Sequence, residues 1–132
     1  MRAAQIRDAT PVLLVQDVVK AAAYYADKLG FRSERFWGEP PMFTIVRRDG
    51  VAVMLNQVGA GDVFRPNGAY GGRFSVYADV RDADALHAEF QGNGADIVCP
   101  PEDQPYMMRE FQVRDVDGHV LGFGHDISSK AN

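Results

Sequence analysis

The sequence predicts an α+β protein: two βαβββ modules whose strands form a cupped, mixed β-sheet with the helices on its outer side. Three observations carry this. The order strand, helix, strand, strand, strand occurs twice. A glycine closes each predicted helix, and a Pro-Pro pair follows the next strand in both halves. An Asp-Gly dipeptide precedes the last strand of each half, Asp49-Gly50 and Asp117-Gly118, and Asp17-Val18 is matched by Asp79-Val80.

The elements follow in chain order. Thr10–Val15 is a short, apolar run and reads as a strand. Asp17 is placed to cap a helix on which Val18, Ala22, Tyr25 and Leu29 share one face, and Gly30 ends it. Phe31–Trp37 and Met42–Arg48 read as strands separated by Glu39-Pro40-Pro41. Val51–Gln57 is the return strand of a tight hairpin. Residues 59–72 are rich in glycine and read as a linker between a first module at about 9–58 and a second at about 73–126, within one domain spanning 1–132. In the second module Arg73–Asp79 is a strand and Asp82–Gln91 a short helix. Ala95–Cys99 is a strand that Pro100-Pro101 should break. Met108–Arg114 and His119–His125 flank the Asp115–Gly118 turn.

Composition narrows the function. The chain has 132 residues, 46% apolar and 24% charged, enough for one packed core without staples. Its single cysteine excludes an internal disulfide and any cysteine-rich zinc module. Net charge is −4, and apart from Arg47-Arg48 the basic residues are scattered, so a nucleic-acid partner is not expected. No run is long enough for a membrane span, and the start lacks the apolar core of a signal peptide. A cytoplasmic location is expected.

Strand alternation assigns residues to the cup or to the helices. Val51, Val53 and Leu55 suit the helix side, leaving Ala52, Met54 and Asn56 in the cup. Phe74, Val76, Phe111, Val113, Leu121 and Phe123 are expected to pack on the helices. Arg73, Ser75, Tyr77, Glu110, Gln112, Val120, Gly122 and Gly124 are then expected in the cup, with an Arg73–Glu110 ion pair there. The glycines should leave room for a ligand. Phe36, Trp37, Phe43, Phe64, Tyr70 and Tyr106 flank the mouth, and their density favours a flat, aromatic or peptide-like ligand. The resulting ligand set is Trp37, Phe43, Met54, Asn56, Arg73, Ser75, Tyr77, Tyr106, Glu110, Gln112 and Gly122. His87 is expected to be partly exposed, His119 solvated, and Cys99 a small packed or edge residue.

The doubled module, the DV pairs, the YYADKLGF of the first helix and REFQVRDVDGH before the last strand resemble the vicinal oxygen chelate superfamily. That superfamily includes glyoxalase I, extradiol dioxygenases, fosfomycin-resistance enzymes and bleomycin-resistance proteins. The resemblance covers about residues 9–126, and PVLLVQDV, ADKLGF, VRRDG, ADALHAEF and REFQVRD are similar to the bleomycin-resistance branch. It implies the glyoxalase/bleomycin resistance fold and, for the enzymes, a divalent metal held by one residue from each of four strands. Internal overlay places those positions at Thr10, Met54, Arg73 and Gly122, none of which ligates such a metal. A weak neutral donor, a thioether, a fixed cation and a missing side chain mean that no metal, no cofactor and no catalytic residue are expected. The expectation is therefore a metal-free binder that traps a bulky, aromatic and cationic antibiotic unchanged. The resemblance also implies a homodimer with ligand crevices between subunits and an exchanged N-terminal segment. The alternative is a glyoxalase- or dioxygenase-like enzyme with an unrecognised metal, or with a metal-free acid/base site using Glu110 and Tyr77. A third reading is a binder of some other aromatic metabolite.

Overall fold

A computed structural model describes residues 3–128; the remaining residues of the expected 1–132 span, 1, 2 and 129–132, lie outside the described residues. The first module contains β1 (Val12–Val15), α1 (Val18–Leu29), β2 (Arg32–Trp37), β3 (Phe43–Arg48) and β4 (Val51–Gln57). The second contains β5 (Phe74–Asp79), α2 (Ala83–Gly92), β6 (Asp96–Asp103), β7 (Met108–Arg114) and β8 (Val120–Asp126). Each module makes its own four-stranded mixed sheet, in the orders β1-β4-β3-β2 and β5-β8-β7-β6. The first and last strands of each module run parallel, and the other neighbours are antiparallel.

Local chemistry explains the boundaries. Asp17 stays extended and its carboxylate accepts the free N–H groups of Val19 and Lys20, both at 3.1 Å, so α1 starts there. Gly30 ends α1 in the left-handed region at φ 71°, where a side chain would be strained. Asp82 caps α2 through Ala85 N–H at 3.0 Å. The Asp49-Gly50 turn joins β3 directly to β4, with Arg48 paired to Val51.

Two expectations need correction. β6 does not break at Pro100-Pro101; it runs from Asp96 to Asp103. It is an edge strand, where a missing N–H can face away from the ladder, and its pairing with β7 shifts register on both sides of Cys99. Second, β5 carries an irregularity at Ser75: Phe74 pairs with Val120 and Val76 with Leu121, so Ser75 is the extra residue. Alternation fails there, and Phe74 leaves the helix side. The expected turn between β7 and β8 is present and is closed by Asp115, whose N–H donates to His119 O at 2.9 Å. Its carboxylate accepts from the N–H groups of Asp117 (2.9 Å) and His119 (3.0 Å).

The core lies between the helices and one face of each sheet. Val46, Val53, Leu55, Tyr25 and Leu29 fill it in the first module, and Phe90, Phe111 and Phe123 in the second. Each such side chain is fully buried or nearly so, worth about 1.5–3 kcal/mol in removal from water. Among the described residues no strand pairing crosses between the sheets. The modules are joined instead by packing and by side chains: Tyr25 donates to Asp115 Oδ2 at 2.7 Å, Tyr24 to Arg114 O at 2.8 Å, and Gln16 N–H to Asp117 Oδ1 at 2.8 Å. Arg48 grips Glu89 of α2 with two bonds of 2.7 and 3.0 Å. Burial, then the neighbouring Asp115 carboxylate, hold the Tyr25 phenol well above its ordinary range.

Candidate functional site

The faces of the two sheets turned away from the helices are the candidate site. On the first, Val12 pairs with Met54 and Leu14 with Asn56, while Ile45 pairs with Met54 and Phe43 with Asn56. Leu13, Val15, Thr44, Val46, Val53 and Leu55, the alternate residues, are buried against the helix side. Val12 and Leu14 remain 52% and 41% exposed, an unusual state for two aliphatic strand residues. Trp37 packs edge-on to Phe43 at 5.5 Å, and the Arg35 guanidinium lies 4.5 Å from the Trp37 ring centre. Trp37, Phe43, Met54 and Asn56 of the expected set therefore share one face, with Val12, Leu14 and Ile45 beside them.

On the second sheet, Tyr77, Gly122, Gln112 and Cys99 are paired neighbours in one row, and Asp79, Gly124, Glu110 and Glu102 in the next. The glycines do not leave an empty hollow. A Cβ at Gly122 would lie 2.7 Å from Phe74 and 2.9 Å from Tyr77, and one at Gly124 would meet the Tyr77 hydroxyl. The rings of Phe74 and Tyr77, 5.4 Å apart, occupy that space. Tyr77 thus rests one side on the glycine backbone and keeps 39% of its surface open. Phe74, expected on the helix side, belongs to this face because of the irregularity at Ser75.

Glu110 is 3% exposed and accepts the Tyr77 hydroxyl at 2.9 Å. The expected ion pair with Arg73 is not formed. Arg73 is exposed and donates to Tyr70 O at 2.6 Å, and among the described residues Glu110 has no cationic partner. Burial and then Glu110 raise the Tyr77 phenol well above its ordinary value of 10. The same causes, in the same order, push the Tyr106 phenol up to about 12.

Ser75 is also corrected. Its hydroxyl lies 2.7 Å from His119 Nδ1, while His119 Nε2 lies 2.8 Å from Leu14 O. A carbonyl only accepts, so Nε2 carries a proton and donates to Leu14 O. His119 is buried, not solvated, and ties β8, β5 and β1 together under the ring of Phe64. A pocket of about 380 Å³ opens beside it. His125 Nδ1 accepts the first N–H of α2, from Ala83, and His87 packs edge-on to Phe111. Cys99 is a half-buried free thiol on the edge strand. A groove of about 810 Å³ lies between the β3–β4 turn and α2, lined by Phe31, Phe90 and Phe123; no sequence period marks a gap between two modules.

The residues at the four expected metal positions do not fit a divalent metal. Thr10, Met54 and Gly122 offer no hard anionic or imidazole donor. The irregularity in β5 leaves the second-module position among Arg73, Phe74 and Ser75, which supply none either. Among the described residues no group of three His, Cys, Asp or Glu side chains converges. No helix of the described residues is long and apolar enough to cross a membrane.

Comparison with known proteins fits this architecture. A family model described as the Glyoxalase/Bleomycin resistance protein/Dioxygenase superfamily matches residues 7–123. No curated protein matches the chain. Among solved structures, TioX from Micromonospora sp. ML1 is 25% identical, with a TM-score of 0.69 over 89% of this chain and 96% of that one. The bleomycin-binding protein from bleomycin-producing Streptomyces verticillus, solved with copper(II)-bleomycin, is 25% identical, with a TM-score of 0.68 over 91% of this chain and 96% of that one. A glyoxalase-related enzyme from Clostridium phytofermentans shares the fold at 20% identity, with a TM-score of 0.75 over 96% and 100% of the two chains. With two βαβββ modules, two mixed sheets and a family match across nearly its whole length, the chain belongs to the glyoxalase/bleomycin resistance protein/dioxygenase superfamily.

Proposed function

We propose that this protein is a binder that sequesters a bulky aromatic antibiotic of the bleomycin type in the cytoplasm and leaves it chemically unchanged. The observation that carries the reading is the pair of open faces. Apolar and aromatic side chains that a solitary sheet would bury stay exposed there, Val12, Leu14 and Trp37 on one sheet and Tyr77 on the other, with exposed Tyr106 in the β6–β7 turn. Trp37 and Phe43 offer ring surface for stacking, and Met54 an adaptable apolar floor. Asn56 and Gln112 supply neutral hydrogen-bonding groups, and Gly122 is covered by Tyr77. Arg73 and Ser75 are engaged elsewhere and drop out of the binding set. Side chains at the family's metal positions that cannot ligate, and the likeness to a bleomycin-binding protein, support binding over chemistry.

The same exposure supports a homodimer in which one copy's open face covers the other's. Residues 3–9 are all exposed, Ile6 almost completely, and supply a segment that a second copy can receive. Light scattering should give twice the chain mass; a monomer at micromolar concentration would remove this part.

The test is a titration with copper(II)-bleomycin followed by the emission of Trp37, the sole tryptophan. Saturable quenching and recovery of intact drug are expected. Absence of binding would sink the reading, and recovery of altered drug would turn it into an enzymatic one.

A further inference from the structure

We propose that Tyr77 and Tyr106, with the buried carboxylate of Glu110 between them, form a subsite for an organic cation, an alkylammonium or guanidinium group. The proposal rests on the reading of the open faces as a binding surface and specifies what the second sheet recognises.

Four observations lead there. Glu110 is a charged group almost wholly withdrawn from water, yet no cation among the described residues pairs with it. Burial of a carboxylate is costly unless its charge is matched. Among the described residues it accepts from the neutral Tyr77 hydroxyl at 2.9 Å, and the Tyr106 phenol also bears on it; neutral donors satisfy an oxygen but leave the charge. Tyr77 is pinned against Gly122 and Gly124, so one side of its ring is presented outward and held there. Tyr106 is 58% exposed, and its phenol responds to the same carboxylate.

The electrostatics act in one direction. A ring face attracts a cation through its quadrupole, and a phenol that donates to a carboxylate is the more electron-rich for it. Asp79 and Glu102 stand in the same lateral row as Glu110 and add to the negative potential without touching the ligand. The nearest cation on that face in strand order is Arg114, at the other end of β7, and it is paired with Asp96. A neutral ligand of the same shape would gain the ring contact but not the charge.

Calorimetric titration of the intact protein with benzyltrimethylammonium, against neutral benzyl alcohol, tests this. The ammonium should bind at least tenfold more tightly, and more weakly as salt is added. Glu110→Gln keeps an acceptor for Tyr77 while removing the charge, and should cost the ammonium at least tenfold and leave the alcohol unchanged. Tyr106→Ala, at an exposed site that does not endanger folding, should cost the ammonium at least threefold. Equal affinity for the two probes, or an ammonium affinity indifferent to Tyr106→Ala, overturns the subsite. Copper(II)-bleomycin separates the two proposals. If it binds while the ammonium does not, the subsite falls and sequestration stands. If the ammonium binds as described and copper(II)-bleomycin does not, the subsite stands and sequestration of that drug falls.

Discussion

The two sheets repeat one strand order, and their open faces differ in charge. Arg32 and Arg47 pair on the open side of the first sheet, with Arg35 over Trp37. Asp79, Glu102 and Glu110 occupy the corresponding side of the second. The cores beneath also differ: Val46, Val53 and Leu55 under the first sheet, and a cluster of Phe90, Phe111 and Phe123 under the second, with Phe111 and Phe123 stacked at 5.3 Å. The comparison teaches that strand order and register specify little about face chemistry. Every second side chain is free of the ladder, so a repeated fold can carry a basic, apolar wall and an acidic, tyrosine-bearing one. Opposite signs favour first face against second, and disfavour either against its own kind.

The largest effect should come from the aromatic core. Phe111→Ala should cost about 3–5 kcal/mol, because three rings, Phe90, Phe123 and His87, close on the cavity it leaves. Denaturant unfolding measures this, and a loss under about 1 kcal/mol would show that the second core collapses around the gap. Next is the join between the halves. Tyr25→Phe strips Asp115 of a donor at a fully buried position and should cost about 1–3 kcal/mol by the same measurement. No loss would mean that packing alone couples the halves. The helix caps are smaller. Asp17→Ala and Asp82→Ala should each cost about 1 kcal/mol, the first more because Asp17 satisfies two N–H groups and Asp82 one. A reversed order in thermal melts would contradict the cap geometry. The smallest effect is spectroscopic. Ultraviolet titration should show Tyr106 ionising near 12, and Glu110→Gln should bring it down toward 10. The sign follows from linkage: the raised phenol favours the fold below pH 10, and that contribution fades as pH rises through 12. An unmoved midpoint would separate Tyr106 from Glu110.

Much of this fold is legible in the sequence because periodicity and capping act locally. Asp17, Gly30 and Asp49-Gly50 mark element ends through their own backbone chemistry, and Val53 and Leu55 declare a buried side by alternation. Alternation alone puts Met54, Asn56, Tyr77, Glu110 and Gln112 on the faces that the strand pairing gives them. The failures share one cause, dependence on a neighbouring strand. Ser75 becomes an extra residue only through how β5 pairs with β8, and that turns Phe74 toward the glycines and Arg73 outward. Pro100-Pro101 is tolerated because, among the described residues, nothing pairs on the far side of β6. His119 is buried by Leu14, 105 residues away, which no local pattern reports. The Asp115 carboxylate two residues ahead of Asp117-Gly118 was the available clue to a folded-in turn.

The corner at Asp115–His119 has a consequence for descent. Tyr25, Gln16 and Leu14 of the first half all fasten there, to Asp115, Asp117 and His119 of the second. Each half has its own sheet, so an ancestor of half the length is easy to picture. Once Tyr25 came to rely on a carboxylate of the other half, a return to separate halves would deprive its phenol of that acceptor. A duplication fastened in this way works as a ratchet: mutation can remake either wall, while parting the halves becomes steadily harder.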